Sequence, residues 1–317
     1  MELALPVFVK QAIYWLSFLY FPLAGALLWQ IFVRKSFRIL SILALIPLTV
    51  LAYARFIEPQ RLLIVEHEVE ICGEGLPGTL RAAVVADLHL GIFPHAISTE
   101  RVVKHINGAN VDLVLMPGDF TYHLEAEKFD KTFAAFSKLD MPAYAVMGNH
   151  DVGLPGPDVA APLTEALEKV GVTILNAKEA IFSADGKFLR IIGFRDYWAH
   201  TKRNEDLGEM PEKASGMPII FLQHNPDMMM DPDLKSFDLM VSGHTHGGQI
   251  YIPGVTCHLT FACRTSRYGY SETPLGKLFV TSGTGMVGLP LRLGVPPRID
   301  VLNMKLRRCR DDINNLV

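Results

Sequence analysis

Five short aliphatic runs, each followed at once by side chains able to bind a metal, constrain this chain more than any other feature. The runs are Ala82 to Ala86, Asp112 to Met116, Ala143 to Met147, Ile219 to Leu222 and Leu239 to Ser242. Behind them come Asp87-Leu88-His89, Gly118-Asp119, Gly148-Asn149-His150-Asp151, Gln223-His224-Asn225-Pro226 and Gly243-His244-Thr245-His246. Apolar runs this short, bounded by turn residues, suit strands buried on both faces. One Asp-x-His or Gly-Asp at a strand end is ordinary turn chemistry. An ordered series of five is different, because buried Asp, His and Asn cost desolvation energy unless they are paired or hold a cation. The carboxyl ends of strands in an open α/β sheet face one crevice, so these groups can converge.

Helical stretches separate the runs. Ser98 or Thr99 can cap a helix through Gly108, Glu125 to Leu139 has the charge pattern of an exposed-face helix, and Asp158 can open one through Val170. Strands alternating with helices indicate an α/β domain. From Thr173 to Phe194 the pattern changes to consecutive strands around the Asp185-Gly186 turn. This predicts a second sheet and a two-sheet β-sandwich flanked by helices, not a Rossmann sheet.

The N-terminus has another character. Gln11 to Val33 contains no charged residue, enough for a helix across the roughly 30 Å hydrocarbon layer. A second uncharged run covers Ile39 to Ala54; Arg38 and Arg55 can snorkel at its ends, and Pro47 is tolerable in a membrane helix. The first run is longer than the apolar core of a signal peptide, usually about 7 to 15 residues. The expected organisation is a membrane anchor of two transmembrane helices over residues 1–60, and a catalytic domain over 61–317 that starts with a strand between Arg61 and Cys72. Arg34, Lys35 and Arg38 between the runs favour a cytoplasmic loop, which places the domain on the non-cytoplasmic face. The bias is small, since Lys10, Arg55 and Arg61 flank the other side.

A formal net charge of −3 with no long basic run argues against nucleic acid as a partner. Cys72, Cys257, Cys263 and Cys309 lack Cys-x-x-Cys or zinc-finger spacing and leave the redox compartment open.

The combined motifs resemble those of the calcineurin-like metallophosphoesterases: Asp-x-His, Gly-Asp, Gly-Asn-His-Asp, a lone His and Gly-His-x-His. Gly243 to Gln249 and the tail Gly285 to Pro297 look like a membrane-associated bacterial branch, for which the inner membrane is the expected location; the resemblance covers roughly residues 62 to 305. It implies two divalent ions, Mn²⁺, Fe or Zn²⁺. Asp87, His89 and His246 would hold one, Asn149, His224 and His244 the other, and Asp119 would bridge them. The implied reaction is hydrolysis of a phosphomonoester, phosphodiester or pyrophosphate by a metal-bridging hydroxide, with His150 as general acid. Anchoring makes a membrane-associated, lipid-linked phosphate ester a natural substrate. Alternatives are a UDP-2,3-diacylglucosamine pyrophosphatase type of lipid-precursor hydrolase, which needs a cytoplasmic site, a nuclease, and a non-catalytic metal-binding membrane sensor.

Other residues receive bland expectations. Asp151 would orient its neighbours, and imidazoles in particular. Arg195 can reach a substrate phosphate bidentately, but the favoured expectation is a surface ion pair with Asp196. His67, His95, His105, His123, His200 and His258 fall outside the motifs, and Met228 to Met230 would be core filler.

Overall fold

The computed structural model describes residues 5–35, 37–72, 77–94, 97–199, 216–259 and 263–307. His95, His200 and Cys309 lie outside them. Two six-stranded sheets face each other. The first has the order β1 (Leu63–Cys72), β14 (Arg298–Arg307), β2 (Gly78–Val84), β4 (Leu113–Pro117), β6 (Ala143–Val146), β7 (Val172–Ile174). The second runs β12 (Gly269–Thr273), β13 (Gly276–Val280), β11 (Leu239–Ser242), β10 (Ile219–Leu222), β9 (Lys187–Gly193), β8 (Lys178–Ala184). The mixed α/β sandwich read from the sequence is therefore the fold observed.

Strand alternation builds three layers of core. Ala82, Val84, Leu113, Leu115 and Val146 of the first sheet meet Leu189, Ile220, Leu222, Leu239 and Val241 of the second in one buried cluster. The intervening residues of the first sheet, such as Ala83, Val114, Met116 and Ala145, turn outward. They pack on α1 (Thr99–Asn107), α2 (Phe129–Phe133) and α3 (Ala160–Lys169) through Val102, Ile106, Phe129, Phe133 and Leu163. Outward residues of the second sheet, Ile219, Phe221 and Met240, pack with Met228, Leu234 and Phe237. A period of two thus buries both faces of each sheet.

Ser98 caps the Thr99–Asn107 helix by accepting from the Arg101 N–H at 3.4 Å, and Asp158 accepts from the Ala160 N–H at 3.0 Å. The expected helix from Glu125 to Leu139 is broken: only Phe129–Phe133 is α-helical, with 3₁₀ turns Ala126–Lys128 and Ala134–Lys138 on either side. Bonds from Lys128 N–H to Glu125 C=O and from Leu139 N–H to Phe136 C=O tighten its two ends.

Strands β2, β4, β6 and β7 are mutually parallel, as are β9, β10, β11 and β13. Loops leaving β2, β4, β6, β10 and β11 carry the motif residues. A minor ladder of β3 (Leu90–Gly91) with β5 (Thr121–Tyr122) ties the first two of these loops together.

Two helical segments, Val7–Arg34 and Arg38–Gln60, are long and apolar enough to cross a membrane. Contacts at both ends pair them: Ser41 Oγ donates to Gln30 Oε1 at 3.1 Å, and Arg55 Nε donates to Ser17 Oγ at 2.9 Å. They expose Trp15, Leu19, Phe21, Phe32, Ile39, Leu43 and Ile46. Each such side chain forgoes roughly 1.5–3 kcal/mol in water, which a lipid environment restores. On the catalytic side, Tyr14 stacks on Phe93 at 6.0 Å, the Arg292 N–H reaches the Ala54 C=O at 2.9 Å, and the Val295 N–H reaches buried Glu58 Oε1 at 2.7 Å.

Leu222 is fully buried between the sheets. We expect Leu222→Ala to destabilise the chain by about 2–5 kcal/mol, read from denaturant unfolding of the detergent-solubilised protein.

Candidate metal centre

The backbone that presents the motif side chains is bent in an unusual way. Asp87, His89, Asp119, His244 and His246 have φ of 53°, 46°, 58°, 71° and 52°, in the left-handed region that costs non-glycine residues about 1–2 kcal/mol each. Strain of this kind concentrates where a fold must aim side chains at one point. Glycine supplies the clearance: a Cβ on Gly118 would lie 2.5 Å from the Gly148 nitrogen, and one on Gly148 would lie 2.1 Å from Asp119 Oδ1. The β4 and β6 loops can touch only because neither position carries a side chain.

Two donor sets result. In the first, Asp87, His89 and His246 converge, with the Nε2 atoms of the two histidines 2.9 Å apart. In the second, Nε2 of His224 lies 3.0 Å from Asn149 Oδ1, and Nδ1 of His244 lies 2.9 Å from Asn149 Oδ1 and 3.1 Å from His224 Nε2. Asp119 stands between them, its Oδ2 3.4 Å from His89 Nε2 and 3.1 Å from His224 Nε2. Asp87, His89, Asp119, Asn149, His150, His224 and His246 are all buried, and His244 is half-buried. The structure therefore brings together every residue singled out from the motifs.

Neighbours hold these groups in place. The Nδ1–H of His224 points at the Pro117 carbonyl, 2.7 Å away, which turns Nε2 toward the centre, the nitrogen that would bind a cation on losing its proton. Asp87 Oδ1 accepts from the His244 N–H at 3.0 Å, and Asp119 Oδ1 from the His150 N–H at 2.9 Å. Asp151 acts through backbone and not through an imidazole. Its carboxylate accepts from the N–H groups of Phe120, Thr121 and Gly148 at 3.0–3.2 Å and from the Thr121 hydroxyl, locking the β4 and β6 loops together.

The electrostatics are those of a site built around positive charge. Burial pushes Asp87 up to about 7 and Asp151 to about 7. It would raise Asp119 as well, but His224, His150 and His89 hold that carboxyl well below its usual range. Burial alone would lower His224, yet the Asp119 carboxylate raises it to about 10. Desolvation takes His89 and His246 well below the ordinary imidazole value, and His244 down to about 3. Asp87 Oδ2 is buried with no hydrogen-bond partner among the described residues, and imidazole nitrogens face one another at contact distance. A divalent cation would give Asp87 Oδ2 the partner it lacks, and nitrogen and carboxylate donors without thiolate suit Mn²⁺, Fe or Zn²⁺.

Four features escaped the sequence reading. Arg292 is fully buried; its guanidinium donates to the carbonyls of Gly285, Val295 and Ser282 at 2.8–3.0 Å and lies 3.4 Å from His246 Nδ1. A lone Arg inside the apolar, Gly- and Pro-rich tail from Gly285 to Pro297 was the available signal. Tyr122 packs edge-on against His89 and His150, with centroids 5.4 and 5.1 Å apart. Asp196 is buried, not at the surface as anticipated, and its Oδ1 accepts from the Trp198 and Ala199 N–H groups at 3.0 Å. This turn sets Trp198 against His244, ring centroids 4.4 Å apart. Outside the centre, His67 pairs with Asp300 at 2.8 Å and His105 contacts the Arg101 carbonyl at 2.7 Å.

The double sheet carries its ligand-bearing loops at the carboxyl ends of its parallel strands, and sequence comparison makes the chain a metal-dependent phosphoester hydrolase. The family model for calcineurin-like phosphoesterases matches residues 80–248, more than half of the chain, and the protein belongs to that family. It is similar to the metallophosphoesterase YkuE of Bacillus subtilis, 28% identical over 260 residues that cover 80% of this chain and 89% of that one. Phosphodiesterase YaeI of Escherichia coli is 26% identical over 264 residues, 80% of this chain and 92% of its own. A zebrafish (Danio rerio) transmembrane protein with metallophosphoesterase domain is 29% identical over 286 residues, 84% of this chain but 63% of the longer relative.

With His224 at about 10, the metal-free centre carries its proton at pH 7.5, and coordination through Nε2 must expel it. Calorimetric Mn²⁺ titrations in two buffers of different ionisation enthalpy should therefore show release of about one proton per chain, and binding that weakens as pH falls. A proton count of zero would contradict this electrostatic picture.

Proposed function

We propose that the chain is a membrane-anchored binuclear phosphoesterase that hydrolyses a phosphodiester, phosphomonoester or pyrophosphate bond. The supporting observation is the position of Asp119 Oδ2, within 3.4 Å of one histidine from each donor set. Asp87, His89 and His246 would hold the first cation, Asn149, His224 and His244 the second, with Asp119 shared. When bound, such a pair would supply Lewis acidity toward the phosphoryl oxygens and the attacking water.

The protein's own residues do the rest. His150 is tied by its backbone N–H to Asp119 and packs 4.8 Å from the His89 ring, at the edge of the centre. From there its imidazole protonates the leaving oxygen. Trp198, 40% exposed beside His244, forms one wall of the mouth.

Two independent features favour a non-cytoplasmic catalytic domain. Arg34, Lys35 and Arg38 cluster between the membrane helices, at the end away from the sheets, and Cys257 and Cys263 form a disulfide. Positive loops stay in the cytoplasm, and disulfides persist in oxidising compartments. Both weigh against a pyrophosphatase of cytoplasmic lipid precursors. Anchoring favours a substrate that is itself membrane-associated, including lipid-linked phosphate esters.

The test uses the full chain in detergent, stripped of metal and resupplied with Mn²⁺, Zn²⁺ or Fe²⁺, on bis-p-nitrophenyl phosphate and p-nitrophenyl phosphate. Metal should restore hydrolysis, and Asp119→Ala should abolish it together with metal binding. His150→Ala should lower kcat by about 10²–10⁴ while both metals stay bound. A folded, fully loaded protein with no turnover of either ester would overturn the reading in favour of a sensor.

A further inference from the structure

We propose that Lys10, on the first membrane helix, is a positioning residue of the phosphoesterase site, acting through Tyr122 on His150 and His89. The segment Val7–Arg34 has 28 residues, so as a helix it is about 42 Å long against a hydrocarbon layer of roughly 30 Å. The excess of about 12 Å is enough for its first two turns to stand outside the hydrocarbon. There they meet the catalytic domain: Tyr14, Ile92, Phe93, Tyr122 and Met286 form one buried cluster that Val7 and Phe18 complete.

A lysine at such a position ordinarily snorkels to water. Lys10 does the opposite and is 3% exposed. Its Nζ donates a hydrogen bond to Tyr122 Oη and sits 4.9 Å from the centre of that ring. Tyr122 Oη accepts a second bond from the Gly288 N–H at 3.2 Å, so the phenol oxygen is held from two sides. The ring so fixed is the one that meets His89 and His150 edge-on. Tyr122 also pairs in register with Gly91, where a Cβ would come within 2.1 Å of the Tyr122 carbonyl, so the two loops approach this closely only because position 91 has no side chain. Burial of an ammonium is costly without strong partners, and the return here is orientation of a ring against the proposed proton donor. The membrane segment is thus part of the site, beyond its role as a tether.

The kinetic part of this inference rests on the phosphoesterase reading; the structural part does not. The experiment compares the full chain with Lys10→Met, Lys10→Arg, Tyr122→Phe and the Lys10→Met/Tyr122→Phe double variant, all in detergent and loaded with Mn²⁺. Lys10→Met should lower kcat on bis-p-nitrophenyl phosphate about tenfold with KM and metal content little changed, since small displacements of catalytic groups carry large rate penalties. Lys10→Arg should recover most of the loss, and the double variant should be no worse than the more affected single one. A second readout is the rate at which diethyl pyrocarbonate modifies His150, followed by peptide mass spectrometry; it should rise in Lys10→Met and in Tyr122→Phe alike. Wild-type kcat and wild-type His150 reactivity in Lys10→Met would overturn the proposal, as would losses of activity that merely track loss of metal. If the unaltered chain turns over no ester, the phosphoesterase reading fails while His150 reactivity still decides the role of Lys10. If Lys10→Met does not fold, unchanged His150 reactivity in Tyr122→Phe, which keeps the ring, overturns it.

Discussion

Two buried carboxyl groups crowded against imidazole nitrogens at one end of the sandwich are the constraint around which this structure is arranged. Asp87 and Asp119 lie buried among imidazoles that crowd to about 3 Å. Such a cluster is unfavourable by itself and favourable around cations. The parallel strands, the left-handed ligand residues and the paired glycines of the β4 and β6 loops all serve to maintain it. The sandwich core supplies the rigidity that keeps those strained positions from relaxing, since close-packed interiors yield little to local stress.

Much of this was legible in the sequence because the signal is local. Each of the β2, β4, β6, β10 and β11 runs announces a buried strand, and the polar residues that follow it announce the functional end. The second sheet could be read from the Asp185-Gly186 turn, which joins β8 to β9 as a hairpin. What escaped depends on contacts between residues far apart in the chain. Arg292 reaches His246 across 46 positions, and Lys10 reaches Tyr122 across 112. Periodicity and turn chemistry carry no information about such pairs. The expectation of a surface Arg195–Asp196 pair failed for a related reason: burial of Asp196 is set by the β9 end meeting the centre, which adjacent sequence does not reveal. The break in the helix near Phe129 is a third example, since its ends tighten into i→i+3 bonds that an exposed-face charge pattern does not forecast.

Family membership and geometry bear on different parts of the function. Membership fixes the class of chemistry, phosphoester hydrolysis dependent on metal. The surroundings of the centre give it individuality: Trp198 at His244, Tyr122 at His89 and His150, and a disulfide-closed segment shortly after the His246 loop. Substrate choice resides in walls of this kind, because the metal-binding residues are indifferent to what the phosphate is attached to.

The seam between the second helix and the Gly285 to Pro297 tail has a further consequence. Ala54 C=O receives the Arg292 N–H, Glu58 receives the Val295 N–H, and the same tail carries the guanidinium beside His246. Cleavage near residue 60 would leave those buried donors without acceptors and expose the apolar face around Phe93 and Met286. Shedding from the membrane would therefore release a domain with an opened flank, not a soluble edition of the same enzyme. The apolar helical pair thus packs as part of the same folding unit as the site, through Ala54, Glu58 and Tyr14.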